Sequence, residues 1–453
     1  MTNTHNVETM LDIPSVFMGW DPMIAASSIL AIIYAFIIID KINATVVAML
    51  GATVMILLGI LNQEMAVEGI DFNTIFLLIG MMAIVGITKK TGVFQYVAIL
   101  TAKAVKGNPR SLLVGLALIT AVFSALLDNV TTVMLIIPVT LLLTEQLKLN
   151  PYPFLFSQIF ASNIGGTATL IGDPPNILIG SAVGFSFTDF IVNLAPVAII
   201  ALIIIIGVFD LLWGRKFNVS LRLRARLINF QPREALTDLP LLWKSLFVLS
   251  LVIFGFVVGH HHGIMPGTTA LGGAALLMLL EIVGKSPSKQ SHDVHYTFTQ
   301  VEWDTIFFFI GLFILVAGVE KSGALALMGE KLIGFTEGNL EMTTLFILWS
   351  SALFSAIVNN IPFIATMIPI IESMQADFGG AAALEPIWWA LALGACLGGN
   401  GSLVGASANV MVAGFADRAG HRITFTKFIK LAFPLMLLTI VIAHIYVEFV
   451  YLP

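Results

Sequence analysis

Cysteine is almost absent from this sequence, which has one, Cys396, among 453 residues. A single thiol excludes an intramolecular disulfide and any metal site that takes several thiolates from one chain. We expect Cys396 to be a small buried apolar residue rather than a ligand for a thiophilic substrate. The three histidines at 260–262 fall in a predicted external turn, where we expect them to be solvated. The sequence therefore predicts neither a metal site nor a cofactor.

Charged residues are also scarce, at 11% of the chain against roughly 25% in a typical soluble domain. The first 21 residues contain no Lys or Arg and no cleavage-type end, so they do not resemble a signal peptide. The chain is 58% hydrophobic, and apolar runs long enough for a hydrocarbon core of about 30 Å recur about ten times. The sequence predicts a multi-pass protein of the cell membrane and gives no sign of nucleic-acid binding.

The few positive charges are concentrated in a small number of loops. Segment 213–236 holds six Lys and Arg residues. Most of the others form three further clusters, at 89–110, 285–289 and 418–430. Placing all of these in the cytoplasm leaves only Lys321 and Lys331 of the 22 Lys and Arg residues outside. This topology predicts that both termini lie outside the cell and that the central linker is cytoplasmic.

The two halves of the sequence resemble each other at a nearly constant offset. Segment 74–92 matches 305–323, and 124–139 matches 355–370 in the same register. Segment 165–176 matches 398–409 after a small shift of register. If each half crosses the membrane an odd number of times, the second half starts on the opposite side from the first. We therefore expect an all-α polytopic membrane protein with about ten transmembrane helices in two inverted-topology repeats. Its predicted parts are an N-terminal repeat at 1–212, a cytoplasmic linker at 213–240 and a C-terminal repeat at 241–453.

One segment of each repeat interrupts an apolar helix. The segment "GGTATLIGDPPN" places two glycines, an aspartate and two prolines at 165–176, and "GGNGSLVGASAN" is its counterpart at 398–409. Unwound backbone at membrane depth is tolerated only where it lines protein or a water-filled cavity. We expect a discontinuous helix at each segment, with Asn176 capping the outgoing half of the first. The alternative is a proline kink in which Asp173 caps a helix.

A polar stretch precedes each interruption. In the first repeat, "LLDNVTTV" lies between two apolar arms that are each short for a full crossing. We expect a re-entrant hairpin in each repeat, with tips near 128–132 and 359–362. The first hairpin enters from the cytoplasm and the second from outside. The alternative is one long kinked span with a polar seam.

Asp128 and Asp173 are the only acidic residues inside the repeated motifs, and the second repeat has Asn359 and Ala406 in their places. An uncompensated carboxylate at the centre of a membrane helix costs about 2.5 to 3.5 kcal/mol, so such residues are candidates for function. A carboxyl group can exchange a proton with the water it faces, whereas an amide cannot. We expect both aspartates to couple transport to protons. The alternative for Asp128 is a neutral hydrogen-bonding spacer.

The other polar and small residues of the motifs are candidates for binding the substrate. They are Asn129, Thr131, Thr132, Gly165, Gly166, Thr167, Asn176, Asn359, Asn360, Asn400, Ser402 and Asn409. No Lys or Arg falls in the motif segments, which disfavours a di- or tricarboxylate substrate. Amide, hydroxyl and free peptide groups suit an uncharged polar solute or a cation instead.

Four segments carry a resemblance to a known family: "SALLDNVTTVMLIIPVT", "NIGGTATLIGDPPNILI", "NNIPFIATMIPII" and "GACLGGNGSLVGASANV". They resemble the signature segments of the ArsB/NhaD family of the ion transporter superfamily, and the similarity runs through both halves. It implies a fold in which hairpins and discontinuous helices form a transport domain that moves against a scaffold, usually in a homodimer. It also implies antiport against protons. An ATPase subunit that energises transport is a further partner that the resemblance allows.

Two functions fit these residues. One is export of arsenite or antimonite by proton antiport, because these mostly uncharged hydroxides suit Asn, Thr and Ser ligands. The other is sodium/proton antiport, with Asp128, Asp173 and unwound carbonyls as oxygen ligands. An intramembrane aspartyl protease is disfavoured, because Leu170 replaces the first glycine of the expected Gly-x-Gly-Asp pattern. We therefore expect a transporter and not an enzyme. A channel would differ in giving no uphill movement of the substrate.

Overall fold

A computed structural model of the chain describes residue 16, residues 19–39 and residues 41–452, and all regular secondary structure in this part is helical. The expectation that the first 21 residues are not a signal peptide falls mostly on residues outside the described ones. The helices of the first half are α1 (Pro22–Ile39), α2 (Ala44–Leu57), α3 (Gln63–Glu68), α4 (Phe72–Lys89), α5 (Val93–Ala104), α6 (Pro109–Leu126), α7 (Asn129–Gln146), α8 (Tyr152–Thr167), α9 (Pro174–Val183), α10 (Phe187–Leu212) and α11 (Leu221–Ile228). Those of the second half are α12 (Leu239–Gly259), α13 (Pro266–Ile282), α14 (Pro287–Thr299), α15 (Trp303–Lys321), α16 (Ala324–Phe335), α17 (Leu340–Ile357), α18 (Asn360–Ser373), α19 (Glu385–Gly398), α20 (Ser407–Arg418) and α21 (Phe425–Tyr451).

The sequence repeat is also a repeat of helices. Helices α5 and α6 begin and end at the positions that match the ends of α16 and α17 in the sequence repeat. Helices α8 and α9 begin at the positions that match the starts of α19 and α20. The small shift of register falls in the connection that follows α7 and α18. The series from α4 to α10 is therefore repeated from α15 to α21.

One helix from each half of the chain packs along a helix of the other half. Helix α4 packs along α13 of the second half, and α15 packs along α2 of the first. Gly80 and Gly311, which match in the repeat, allow this close approach. A Cβ atom at Gly80 would lie 2.5 Å from the backbone of Ala270, and one at Gly311 would lie 2.8 Å from the backbone of Ala48. The two halves are therefore interlocked through α2 and α13.

Helices α6 and α7 form an antiparallel hairpin that packs on α8. The Gln158 side chain of α8 donates to the hydroxyls of Thr120 in α6 and Thr140 in α7, at 3.3 and 3.0 Å. Both arms therefore lie at the same level of α8, which excludes one long kinked span. Helices α17 and α18 form the matching hairpin against α19.

Each hairpin turns over two residues, 127–128 in the first and 358–359 in the second. Asp128 accepts a hydrogen bond from the N–H of Thr131 at 2.7 Å and so caps α7. Thr131 and Thr132 therefore lie in the first turn of α7, and the predicted polar tip is helical beyond Asp128.

Ten helical segments of the described residues are long and apolar enough to cross a membrane, which confirms the predicted class of fold. The set differs from the spans that we expected. It includes the hairpin arms α6, α7 and α17, which we assigned to re-entrant segments. Helices α2 and α13 are shorter, with 14 and 17 residues, and are not among the ten.

The first discontinuous helix is broken by its prolines. Residues 168–173 between α8 and α9 are not helical. Pro174 and Pro175 occupy the first two positions of α9, where a helix needs no N–H donor. Asp173 stands at the N-cap of α9, although its side chain makes no capping hydrogen bond. Asn176 lies inside α9, so the expectation that it caps this helix is wrong.

The second break depends on glycine instead of proline. Gly399–Gly401 form a single 3₁₀ turn after α19. Just before it, a Cβ atom at Gly398 would lie 2.5 Å from the carbonyl oxygen of Ala352 in the hairpin, and Gly165 has the same relation to Ala121 in the first repeat. The glycines let each hairpin pack directly on the backbone of its discontinuous helix, which brings the hairpin tips to the breaks.

Candidate functional site

Two asparagines, here called the clasp asparagines, hold the unwound segments together. Nδ2 of Asn176 donates to the carbonyl oxygens of Thr167 and Thr169 at 3.1 and 2.9 Å. Asn409, its counterpart, donates in the same way to two carbonyl oxygens within 399–402, at 2.7 and 2.8 Å. Both asparagines are fully buried. These bonds satisfy peptide groups that the broken helices leave free.

Each clasp asparagine also accepts a hydrogen bond from the other repeat. Asn163 of α8 donates to Oδ1 of Asn409 at 3.0 Å, and Sγ of Cys396 in α19 donates to Oδ1 of Asn176 at 3.4 Å. Asn163 and Cys396 occupy the same position of the repeat, since each lies just before the paired glycines of its own motif. The thiol is thus a buried hydrogen-bond donor between the repeats as well as the small buried residue that the sequence predicts.

Asn163 is a central residue that the sequence analysis missed. Its Nδ2 also donates to Oδ1 of Asn400 at 3.1 Å, and its Oδ1 accepts from Asn129 at 3.4 Å. The sequence repeat could have identified it. The alignment that pairs the two breaks also pairs Asn163 with Cys396, the single cysteine of the chain. No local pattern around Asn163 distinguishes it from the other polar residues of α8.

The hairpin tips reach the breaks. Asn129 contacts Asn163, and Asn360 donates to Oδ1 of Asp173 at 3.4 Å. Asn129 and Asn360 are each 3% exposed and Asp173 is 1% exposed, so the tips end inside the protein. The residues joined by these contacts form the central polar cluster: Asn129, Asn163, Asp173, Asn176, Asn360, Cys396, Asn400 and Asn409.

Three buried polar atoms of the central polar cluster have no hydrogen-bond partner among the described residues. They are Oδ1 of Asn129, Oδ2 of Asp173 and Nδ2 of Asn400. An unpaired buried polar group costs about 1 to 3 kcal/mol, and nearly all such groups in native proteins are paired. Two acceptors and one donor are therefore unsatisfied where both hairpins and both breaks meet. These atoms are the candidate site for a bound solute.

Several predicted site residues support the cluster through backbone contacts. The Thr167 hydroxyl donates to the carbonyl oxygen of Asn163 at 2.8 Å, and the Ser402 hydroxyl accepts from a backbone N–H within its own break at 3.2 Å. Gly165 and Gly166 lie in the last turn of α8 against neighbouring backbone. These residues shape the site, and neither hydroxyl is among the buried atoms that lack every hydrogen-bond partner.

The remaining predicted residues lie at the hairpin tips. Thr132 is fully buried, and its hydroxyl has no partner within the described part of the chain. Thr131 is half-buried and contacts Asp128 through its backbone. Asn359 is also half-buried and donates to the hydroxyl of Ser407 at 3.3 Å. Asp128 and Asn359 cap equivalent helices, so these two tip residues are structurally matched although only one is acidic.

The charge at the centre comes from one carboxyl group and four helix ends. Helices α7, α9, α18 and α20 all begin at the cluster, and the start of a helix carries a partial positive charge. Asp173 is the only acidic residue of the cluster. Among the described residues no Lys or Arg is fully buried, so no cationic side chain lies at the site.

A cavity of about 920 Å³ leads from the surface to the hairpin tips. Its walls include Val130, Asn359 and Ser407 beside the cluster, together with Lys89 at the end of α4 and Glu302 before α15. A smaller cavity of about 240 Å³ lies at the opposite ends of α4 and α15. The larger cavity therefore approaches the cluster from the side of the protein on which α4 ends.

Comparison with known proteins identifies the family. The profile of a family described as citrate transporter, CitMHS, matches residues 34–394. An uncharacterized transporter of Mycobacterium tuberculosis is 41% identical over 93% of this chain and 97% of its own length. A 46 kDa membrane protein of Mycobacterium leprae is 40% identical over 95% and 99% of the two chains. The human P protein is 34% identical over 93% of this chain, which corresponds to 59% of its own length.

A solved structure supports the fold. The YdaH transporter of Alcanivorax borkumensis superimposes with a TM-score of 0.60 at 13% identity, over 95% of this chain and 98% of the other. The family that matches is the citrate transporter family, and the ArsB/NhaD assignment is not among these matches. The chain therefore belongs to the citrate transporter family, CitMHS, and is a multi-pass membrane transporter homologous to the P protein.

Proposed function

We propose that the protein exports arsenite or antimonite in exchange for protons. The observation that carries this proposal is the unpaired set of Asn129 Oδ1, Asp173 Oδ2 and Asn400 Nδ2, which offers two acceptors and one donor. Arsenite and antimonite are mostly uncharged trihydroxides at neutral pH, and a hydroxyl both donates and accepts. A trihydroxide can supply the two donors and the one acceptor that these atoms lack. It needs no cationic ligand.

Asp173 provides the coupling to protons. When its carboxyl group is ionised, Oδ2 accepts a hydrogen bond from a substrate hydroxyl. When the group is protonated at Oδ2, that oxygen donates instead, and the hydrogen bond from the substrate hydroxyl to the ionised carboxylate is lost. Proton and substrate therefore compete for one oxygen atom. Loss of the proton on one side of the membrane permits loading there, and protonation from the other side expels the substrate.

Sodium/proton antiport is the alternative that the same residues suggest. A dehydrated cation needs a shell of oxygen ligands in place of its water. The unpaired oxygens of Asn129 and Asp173 provide only part of such a shell. The carbonyl groups of Thr167 and Thr169 at the first break, and of Gly399 and Ser402 at the second, already accept hydrogen bonds from the clasp asparagines. The geometry therefore supports a neutral solute better than a cation.

A carboxylate such as citrate is the second candidate cargo. The description of the matching family favours it, and the four helix N-termini at the cluster attract anions. The ionised carboxyl group of Asp173 repels an anion, and no cationic side chain offsets that repulsion. Citrate therefore belongs in each transport assay as a competitor.

The direction of transport follows from the expected topology. If both termini lie outside and the linker at 213–240 is cytoplasmic, the larger cavity opens to the cytoplasm, because it lies beside Lys89. The substrate then loads from the cytoplasm and leaves to the outside. The proposal places the protein in the cell membrane and keeps the homodimer that the resemblance implies. It needs no ATPase subunit, since the proton gradient supplies the energy.

A resistance assay tests the proposal in cells. Expression in a bacterium that lacks its own arsenite exporter should raise the arsenite concentration that permits growth and lower the arsenic content of the cells. The Asp173→Asn variant at equal membrane abundance is the matched control. An unchanged arsenic content with the wild-type protein present in the membrane would refute arsenite export.

Replacement of Cys396 with alanine should retain arsenite efflux. A single thiolate cannot form the multi-sulfur clamp that holds trivalent arsenic tightly, and a transport site must release its substrate as readily as it binds it. The change removes one weak donor to Asn176, at 3.4 Å. We expect efflux rates within about twofold of the wild type. Loss of resistance at normal expression would show that sulfur takes part in recognition.

Replacement of Asn360 with alanine should mainly weaken substrate binding. The amide holds Oδ1 of Asp173 at 3.4 Å, which orients Oδ2 toward the substrate. A hydrogen bond to a charged group contributes about 1.5 to 3 kcal/mol, so KM for arsenite should rise on the order of tenfold or more with a smaller change in kcat. Asn359→Ala is the neighbouring control, because that amide contacts Ser407 instead. An unchanged KM in the Asn360 variant would remove this residue from the site.

A further inference from the structure

A carboxyl group outside the repeated motifs lies in the wall of the larger cavity. Glu302 directly precedes α15 and matches Asp71, which directly precedes α4, in the register that pairs these two helices. Both oxygens of Asp71 are paired, with the N–H groups of Asn73 and Thr74 and with the Thr74 hydroxyl. Asp71 therefore caps α4 and has no unpaired carboxylate oxygen.

Only one of the two carboxylate oxygens of Glu302 is hydrogen-bonded. Its Oε2 accepts from the hydroxyl of Thr305 at 3.2 Å, which repeats the contact that Asp71 makes with Thr74. Its Oε1 is buried and has no hydrogen-bond partner among the described residues. The second repeat thus retains the contact with the threonine hydroxyl, lacks the capping bonds to backbone N–H groups, and leaves one carboxylate oxygen of Glu302 unpaired.

The unpaired group lies on the route to the hairpin tips. Glu302 lines the larger cavity together with Val130, which lies close to the tip residue Asp128 in sequence. The charged side chains around the cavity are Lys89 of α4 and Asp304 of α15, and Asp128 faces Glu302 from the first hairpin. The other elements contribute uncharged groups: Asn43 before α2, Asn359 at the second hairpin, and Ser407 of α20.

Glu302 changes its protonation state near neutral pH. Burial raises the pKa of Glu302 to about 7, with a further contribution in the same direction from the charge of Asp128. The folded protein holds this proton more tightly than the unfolded chain, so Glu302 is mostly protonated below about pH 7 and mostly ionised above it.

We propose that Glu302 is a proton-relay residue that connects the carboxyl groups of Asp173 and Asp128 with water at the mouth of the larger cavity. In the loading state the O–H bond of protonated Asp173 breaks, and the proton passes by way of Asp128 and cavity water to the ionised Glu302. Glu302 then releases the proton to bulk water and is ionised again. Asp173 is left ionised and ready to accept a substrate hydroxyl. The relay rests on the proposed exchange against protons and assigns it a path along the wall of the larger cavity.

Glu302→Gln tests the relay in everted membrane vesicles, whose outer surface is the cytoplasmic face. Two rates are measured between about pH 6 and pH 8 outside: arsenite uptake driven by an acid interior, and exchange of labelled for unlabelled arsenite without a gradient. Since Glu302 accepts protons only when ionised, wild-type driven uptake should rise as the outer pH passes about 7. In the variant this rise should be absent, with driven uptake at the upper pH lower by on the order of tenfold. Exchange needs no net proton movement and should be unchanged, which shows that the variant is folded.

Two further variants complete the test. Glu302→Asp keeps a carboxyl group and should recover the pH-dependent rise, whereas Asp304→Asn removes an acid from the same cavity and should match the wild type. A Glu302→Gln protein with the wild-type pH profile overturns the relay alone. A wild-type protein that exchanges no arsenite and accumulates none overturns the proposed function and the relay with it, so the two failures are distinct.

Discussion

Replacing Asp173 with asparagine should abolish proton-driven transport, with a loss of on the order of a hundredfold or more in uphill arsenite movement. The amide has the shape of the carboxylate, so the N-cap position of α9 and the contact with Asn360 can be kept. It cannot titrate, and its side chain cannot alternate between accepting from the substrate and holding a proton. The measurement is arsenite accumulation in everted vesicles under an imposed proton gradient, at equal membrane abundance of the two proteins.

The matched comparison is with Asp128→Asn, because Asp128 lies at the half-buried tip and not among the unpaired atoms of the cluster. That variant should slow driven uptake less than Asp173→Asn. Uphill transport at the wild-type rate in the Asp173 variant would show that the coupling residue lies elsewhere.

Replacing Asn409 with alanine should destabilise the second break and abolish transport. The change leaves the carbonyl oxygens of Gly399 and Ser402 without their donor, and Asn163 loses one of its two acceptors. Each unpaired buried group costs about 1 to 3 kcal/mol, so the free energy of unfolding should fall by several kcal/mol. The measurement is the thermal unfolding midpoint of the purified protein in detergent, which we expect to drop by roughly 5 °C or more.

Ser407→Ala is the control for that experiment. Ser407 is the first residue of α20, is exposed, and makes one side-chain contact at 3.3 Å with Asn359. Its replacement should leave the unfolding midpoint nearly unchanged. An Asn409→Ala protein with the wild-type midpoint and normal transport would mean that the unwound segment does not depend on its clasp.

Local sequence signals were sufficient to predict the interruptions of the helices. Glycine and proline within apolar runs predicted the breaks at 165–176 and 398–409, and the polar stretch at 128–132 predicted the first hairpin. The prediction was less accurate within each motif. Thr131 and Thr132 are helical, because Asp128 caps α7 earlier than the polar stretch suggests. Asn176 is a clasp and not a cap, because Asp173 already occupies the N-cap position.

Contacts between distant parts of the chain could not be predicted in this way. The exchange of α2 and α13 between the halves depends on the close approach at Gly80 and Gly311, whose partners are far away in sequence. The role of Asn163 depends on contacts with Asn400 and Asn409 in the other repeat. Unpaired atoms such as Oε1 of Glu302 become visible only when every possible partner has been placed.

The most direct test of the central claim is transport into everted vesicles that contain the wild-type protein. An acid interior should drive arsenite uptake above the outside concentration, a protonophore should abolish that uptake, and neither citrate nor sodium should compete with arsenite or move against the same gradient. The account is contradicted if arsenite only equilibrates while sodium or citrate is accumulated at the expense of the proton gradient. That result would mean that the unpaired atoms of Asn129, Asp173 and Asn400 receive a different solute.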